Sequence, residues 1–297
     1  MAPTCCSAPP RLRAGFWVRA QQRIPSRVVI TGGTKGLGLA LAGAFLQRGA
    51  SVFVCSRSAA RVEETVTLLR GVHGAQRVHG IAADVSSAAD VDALATAAKQ
   101  SLGGVDVWLN NAGSNGYLYA PLVDTPSSKI AEVVTTNLLG TLLCTRAAMQ
   151  LMQSQPGGGH VFNMEGAGSD GRPTPKYAAY GASKAGFAQL AQSLQAEVGE
   201  AAIGIHNISP GLVQTELVSS GRDSFGPQGR WFINALSELP EDVADVIAPM
   251  VLELAASPRR AGEASRTVRV LTPQVALQRI LARLLLGKNK GRWYPED

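Results

Sequence analysis

Cysteine is scarce in this sequence, with 4 residues in 297. Cys5 and Cys6 are adjacent and Cys55 and Cys144 lie far apart, which excludes a disulfide framework and any zinc-ligand spacing. The histidines His73, His79, His160 and His206 are equally scattered, so no metal site is expected. Charge is also sparse, at 17% against 45% hydrophobic residues, and that balance excludes a disordered or collagen-like chain. Long apolar runs are missing too. Glu253 interrupts the stretch 247–256, and Asn137 with several threonines dilutes 133–145, so no transmembrane segment is expected.

Acidic residues are absent until Glu63. The first 26 residues carry Arg11, Arg13, Arg19 and Arg23, several small residues and no apolar block long enough for a secretory signal. They read as an organellar transit peptide; plastid and mitochondrion stay open on composition alone. The net charge of +6 owes four of its positives to this leader, leaving 24 cations against 22 acids in residues 27–297. So even a balance gives no reason to expect nucleic acid or another polyanion as a partner.

From residue 27 onward, short β-branched runs alternate with longer Ala/Leu-rich segments of helical period. That alternation predicts an α/β fold: one Rossmann-type doubly wound domain over 27–272 with a seven-stranded parallel sheet. Strands are expected near 28–31, 52–55, 77–82, 105–110, 160–163, 203–208 and 267–270. Helices are expected near 37–47, 61–70, 88–102, 129–152, 177–198, 240–255 and 273–285. The long connection 215–239 follows strand six and holds Phe225, Trp231 and Phe232 among several glycines, which predicts a substrate lid walled by those aromatics. Residues 273–297 form a C-terminal extension around a basic amphipathic helix. Its apolar stripe is expected to pack on the domain or a sister subunit, with an anionic membrane surface or an antenna complex as the other reading.

Two clusters carry chemistry. Thr31-Gly-Gly-Thr-Lys-Gly-Leu-Gly38 follows strand one and opens helix one, where Gly32, Thr34, Lys35, Gly36, Leu37 and Gly38 form a turn able to take a pyrophosphate at a helix N-terminus. At the end of strand two stand Ser56, Arg57 and Ser58 with no acid, so NADPH is favoured over NADH: Arg57 and Lys35 can meet a 2′-phosphate. Tyr180-Gly-Ala-Ser-Lys184 places a phenol and an ammonium one helical turn apart. Such a pair is often a plain surface contact. With the glycine turn it reads as a proton donor and its tuner, and the spacing predicts a phenol pKa lowered by the neighbouring cation.

Together with Asn110-Asn-Ala-Gly113, Asn137 and Pro210-Gly211, these motifs resemble the short-chain dehydrogenase/reductase family over about residues 27–270. The resemblance implies that Asp84 and the adjoining Val85 contact the adenine and that Asn111, Ala112 and Gly113 support the nucleotide cleft. It further implies that Asn137 holds a relay water, that Tyr180 and Lys184 bind the nicotinamide ribose region as well as catalysing, and that Pro210, Gly211 and Thr215 border the carboxamide. The family's carbonyl-polarising serine, 13 residues before the tyrosine, falls on Ala167. Ser169, two residues on, is the expected substitute.

That unusual loop, within 160–169, together with 206–217, 232–236 and the basic ending 287–294, resembles the plant and algal chlorophyll(ide) b reductases, in particular their branch without membrane spans. The resemblance implies reduction of the 7-formyl group of chlorophyll b or chlorophyllide b to 7-hydroxymethyl by NADPH, in the chloroplast stroma or on the thylakoid surface. It also implies homo-oligomers paired through the 129–152 and 177–198 helices, and light-harvesting complex or a membrane-anchored relative as companions. The family motifs alone also fit a general NADPH carbonyl or 3-ketoacyl reductase. The missing serine at 167 also admits a nucleotide-binding scaffold without catalysis.

Overall fold

The structure is a computed structural model that describes residues 27–221, 225–256, 259–260 and 262–296. The transit-peptide reading of residues 1–26 therefore lies outside the described residues, as does the lid stretch 222–224. Seven parallel strands form one sheet in the order β3-β2-β1-β4-β5-β6-β7. They are β1 (Arg27–Thr31), β2 (Ser51–Ser56), β3 (Val78–Ala82), β4 (Val107–Asn110), β5 (Gly159–Met164), β6 (Ile203–Ser209) and β7 (Thr267–Arg269). Alternation along β1 sends Val28 and Ile30 into one apolar layer and Val29 into the other. The first layer is closed by α1 (Gly36–Gln47), α2 (Ala59–His73) and α10 (Pro240–Ala255). The second is closed by α3 (Ala88–Leu102), α5 (Gly140–Gln153) and α7 (Phe187–Glu197). Strand order reverses between β1 and β4, and such a switch point opens a crevice at the carboxyl ends of the strands.

The remaining helices are α4 (Ser127–Val134), α6 (Ala178–Ala185), α8 (Glu216–Ser219), α9 (Pro227–Leu236) and α11 (Pro273–Leu286). Two expected helices are not continuous. The 129–152 helix is split into α4 and α5 by one π-helical turn, Thr135–Leu139. Thr135 Oγ1 donates to the carbonyls of Ala131 at 2.7 Å and Glu132 at 3.3 Å, competing with the backbone ladder at that point. The 177–198 helix pauses at Gly186, a weak helix former, before resuming as α7. Among the described residues no helix is long and apolar enough to cross a membrane.

Between β5 and β6 the rings of His160 and His206 stack, with Nδ1 of the first 3.0 Å from Nε2 of the second. Arg266 N donates to His206 Nδ1 at 3.2 Å, which leaves the His206 proton on Nε2. Burial first, then the neighbouring His160 and two arginines, depress the His206 pKa to about 3. A folded-state value below the unfolded one of about 6.5 means that the unfolded chain takes up a proton first as pH falls. Stability is therefore complete above pH 6.5 and declines below it, by about 2 kcal/mol between pH 7 and pH 5. Urea unfolding midpoints across that range check the expectation; a flat profile contradicts it.

Candidate active site

The crevice is stitched together at the ends of β1 and β4. Thr31 Oγ1 accepts from the backbone of Asn111 and Ala112, each at 3.0 Å, and Asn111 Nδ2 donates to the carbonyls of Thr31 at 2.9 Å and Gly32 at 3.2 Å. These bonds hold the glycine turn against the strand that supplies its far wall. Gly32 has φ +64°, and a Cβ on Gly38 would collide with the carbonyl oxygen of Gly32 and lie 2.5 Å from Asn111 Nδ2. At α2, α3 and α11 the side chains of Ser58, Ser87 and Thr272 cap the helix start. Helix α1 has no such side-chain cap and no acid in its first turn. Its free amides and positive dipole end face the crevice, where they fit a pyrophosphate.

The resulting cleft encloses about 640 Å³. It collects every expected cofactor residue outside the turn as well: Ser56, Arg57, Ser58, Asp84, Val85, Asn111, Ala112, Gly113, Pro210, Gly211 and Thr215. Asp84 is fixed by Ser86, whose N and Oγ donate to its Oδ1 at 2.9 and 2.7 Å. Arg57 is exposed at the β2 end. Arg61, one turn further along, lines the same cleft and was missed; its signal was the four-residue spacing of two arginines at the start of α2. Lys35 lines the cleft too, with its ammonium also engaged by neighbours. Its ammonium donates to Glu216 of the lid at 2.5 Å and to the Tyr117 hydroxyl at 3.0 Å. Burial alone would lower the Lys35 pKa, but those two partners raise it above its ordinary value. The cation clasps the lid to the turn.

At the other end of the cleft Tyr180 and Lys184 line the wall, and Asn137 lies behind it, outside the cleft lining. Asn137, fully buried in the π turn, accepts from Ser114 N at 2.8 Å and donates to Ser114 O at 2.8 Å and Ser183 Oγ at 2.9 Å. It and Lys184 flank Gly113. The Lys184 ammonium donates to Met164 O at 2.9 Å, and burial brings its pKa down to about 8 against the opposing pull of Glu165. The phenol moves opposite to the sequence expectation. Burial, helped by Tyr177, pushes Tyr180 up to about 12 rather than down. Lys184 directs one N–H to Met164 O and stands 5.9 Å from the Tyr180 ring centroid, and its attraction does not outweigh the desolvation of the phenol. Burial thus favours the protonated form of the phenol.

Ser169 is not among the residues that line the cleft. Its Oγ accepts from Gly166 N at 3.0 Å and braces the loop after β5, while Ala167 takes the cleft position. The residue of this loop closest to the phenol is Gly166, which no spacing rule marks: a Cβ there would strike the Tyr180 hydroxyl. The lid aromatics also divide. Phe225 lines the cleft with Tyr177, Leu217, Val218 and Ile233, whereas Trp231 packs under Arg283 and Phe232 stays outside, because Ile233 occupies the inward face of α9. The C-terminal tail closes over α9 rather than standing apart: buried Asn234 accepts from Trp293 N at 2.7 Å and Tyr294 N at 3.0 Å.

Residues 26–224 match the family model described as short chain dehydrogenase. The chain belongs to that family. It is an oxidoreductase of the short-chain dehydrogenase class, which uses a nicotinamide cofactor. Chlorophyll(ide) b reductase NOL, chloroplastic, from Oryza sativa subsp. japonica is 45% identical over 282 residues, covering 94% of this chain and 81% of the relative. Its namesake from Arabidopsis thaliana is 44% identical over 277 residues, covering 92% and 78%. Among solved structures, a single-residue variant of actinorhodin polyketide ketoreductase with NADPH superposes with a TM-score of 0.72 at 25% identity, covering 84% of this chain and 97% of the other.

Proposed function

We propose that the protein is a chloroplast NADPH-dependent chlorophyll(ide) b reductase, converting the 7-formyl group of chlorophyll b or chlorophyllide b to 7-hydroxymethyl. The observation that carries this reading is near-full-length identity of 44–45% to two chloroplastic proteins of that name, in a chain whose Tyr180 and Lys184 both face the cleft. When bound, NADPH supplies the hydride that the formyl carbon takes up. The chain's own residues do the rest. Tyr180 gives its phenolic proton to the forming alkoxide oxygen. The Lys184 ammonium stabilises the phenolate left behind, and Asn137, on the other flank of Gly113, anchors the route by which solvent restores the proton. Beyond Tyr180 the cleft continues along Leu217, Val218, Phe225 and Ile233, an apolar wall suited to a flat macrocycle.

Arg57 and Arg61 favour the 2′-phosphate of NADPH, and no acid stands at residues 55–58 to hold a free ribose hydroxyl. Replacing Arg57 with Asp is expected to raise the KM for NADPH by about 10- to 100-fold and to leave the KM for NADH unchanged or lower. Steady-state kinetics with both cofactors measure the switch, and equal responses to the two would contradict it.

The likeness to a polyketide ketoreductase favours a second reading, a general NADPH carbonyl reductase. Incubating purified protein with NADPH and chlorophyll b or chlorophyllide b, beside small plastid carbonyl compounds, separates the two. A Soret shift to the hydroxymethyl pigment is the expected result. Turnover of the small carbonyls with no change in the pigment would overturn the proposal.

A further inference from the structure

The basic ending of the chain is bound into the lid. Helix α11 meets α9 with its arginine side, and its leucine stripe faces out: Arg279 pairs with Glu238 at 2.9 Å, while buried Arg283 pairs with Glu296 and lies over the Trp231 ring. Residues 292–296 then cross α9 as a strap, and fully buried Asn234 holds them there. Besides accepting from Trp293 N and Tyr294 N, Asn234 uses its Nδ2 to donate to Tyr294 O at 2.8 Å and to the Glu296 carboxylate. Every donor and acceptor of that amide is therefore spent on the tail. Arg292 adds an ion pair to Glu238 at 3.0 Å. A buried polar network with all its members satisfied fixes one arrangement of the segments it joins.

What the strap carries is Tyr294. Its ring meets the Phe225 ring edge-on, with centroids 6.2 Å apart, and Phe225 lines the cleft. From Phe225 the contacts continue inward, to Tyr119 at 5.8 Å, from Tyr119 to Tyr177 at 4.8 Å and from Tyr177 to Tyr180 at 6.3 Å. Centroid spacings of about 4.5–7 Å at steep interplanar angles are favourable aromatic geometry. Five rings thus run without a break from the C-terminal tail to the Tyr180 phenol. Of these, Phe225, Tyr177 and Tyr180 line the cleft, and Tyr119 and Tyr294 stand behind them as supports. Gly221 leaves room for this packing, because a Cβ there would lie 2.7 Å from the Tyr177 hydroxyl and 3.1 Å from the Phe225 ring. Rings held in place by other rings present their area to a ligand with little further loss of side-chain freedom, which favours a flat conjugated molecule over a small carbonyl compound.

We propose that the C-terminal tail is a specificity element of the cleft: Tyr294, pinned through its main chain by Asn234, braces Phe225 within an aromatic wall against which a flat macrocycle lies. Tyr294 is a positioning residue, since it reaches the substrate through Phe225. The choice of a chlorin as the macrocycle rests on the reductase reading. The bonds from Asn234 to Tyr294 use main-chain atoms, so Tyr294→Ala removes the ring and leaves the strap. Wild type, Tyr294→Ala, Tyr294→Phe, Phe225→Leu and the Tyr294→Ala/Phe225→Leu double variant are given chlorophyllide b. Equilibrium binding is read from the pigment's visible band, beside KM, kcat and NADPH affinity, and urea midpoints verify the fold. Tyr294→Ala is expected to raise the pigment Kd and KM about tenfold with kcat and NADPH affinity unchanged, whereas Tyr294→Phe, which keeps the ring, behaves as wild type. Phe225→Leu should raise both constants at least as much, and the double variant no further, because the two residues act as one unit. Wild-type pigment binding in Tyr294→Ala, equal losses in Tyr294→Ala and Tyr294→Phe, or additive effects in the double variant would overturn the proposal. So would a matching fall in NADPH affinity, which would make the tail a general prop of the fold. Phe225→Leu leaves the tail untouched and decides the matter if Tyr294→Ala does not fold: unchanged pigment binding by that variant also overturns the wall. If the wild type binds the pigment in the expected pattern without reducing it, the reductase reading fails and the wall stands; if it does not bind the pigment, the wall falls as well.

Discussion

Replacing Tyr180 with Phe is expected to lower turnover of the formyl substrate by about 10³-fold, with NADPH binding essentially unchanged. In the proposed mechanism the hydroxyl meets the forming alkoxide, and Gly166 leaves it room on the loop side. Burial holds the phenol near pKa 12, so it remains a donor across the whole working range. The titrating partner is Lys184, near 8. Reductase activity should therefore fall along an alkaline limb near pH 8, as the ammonium that stabilises the phenolate loses its proton. Glu165 opposes the burial effect on Lys184, so Glu165→Gln should move that limb to lower pH. Stopped-flow rates over pH 6 to 10 read both effects. An undiminished rate in the Tyr180→Phe enzyme would remove the phenol from the reaction.

The second large effect is expected at the glycine turn. Gly38→Ala puts a methyl against the Gly32 carbonyl and 2.5 Å from Asn111 Nδ2, both parts of the hydrogen-bonded stitch between β1 and β4. Neither neighbour can yield without opening the turn, because the carbonyl is backbone and the amide is already bonded on two sides. A loss of stability of about 1–3 kcal/mol is expected from overpacking, and NADPH affinity should fall by about 100-fold or more as the amides at the start of α1 lose their alignment. Fluorescence titration and urea unfolding measure the two quantities. Wild-type affinity in the alanine protein would mean that the turn does not cradle the cofactor.

The sheet, its seven strands and the placement of Tyr180, Lys184 and the glycine turn along the cleft were legible because each rests on local rules: period-two and period-3.6 patterning, turn chemistry and i, i+4 spacing. What escaped depended on tertiary surroundings. Thr135 looks like any helical threonine until its hydroxyl takes the Ala131 carbonyl and a π turn forms. The direction of the Tyr180 shift depends on desolvation in the closed cleft, which spacing does not report. Lys35 lines the cleft as its position in the turn implies, but its pairing with Glu216, 181 residues away, is invisible to local spacing. Ser169 read as a cleft residue because counting along the loop ignores the bond from Gly166 N that turns its hydroxyl aside. Helix α11 showed its apolar stripe in sequence, but only the ion pairs to Glu238 and Glu296 reveal that the arginine side faces in.

The most direct test of the central claim follows both hydrogens in one reaction. Wild-type protein and Tyr180→Phe are given NADPH deuterated on the transferable position of the nicotinamide, together with chlorophyllide b, and the pigment is analysed by mass spectrometry. The wild type is predicted to form the 7-hydroxymethyl pigment with one deuterium on its new carbon–hydrogen bond, and Tyr180→Phe to form about a thousandth as much in the same time. Deuterium-free product from the wild type, or equal product from the two proteins, would contradict a mechanism in which the cofactor's hydride and the Tyr180 proton meet on one formyl group.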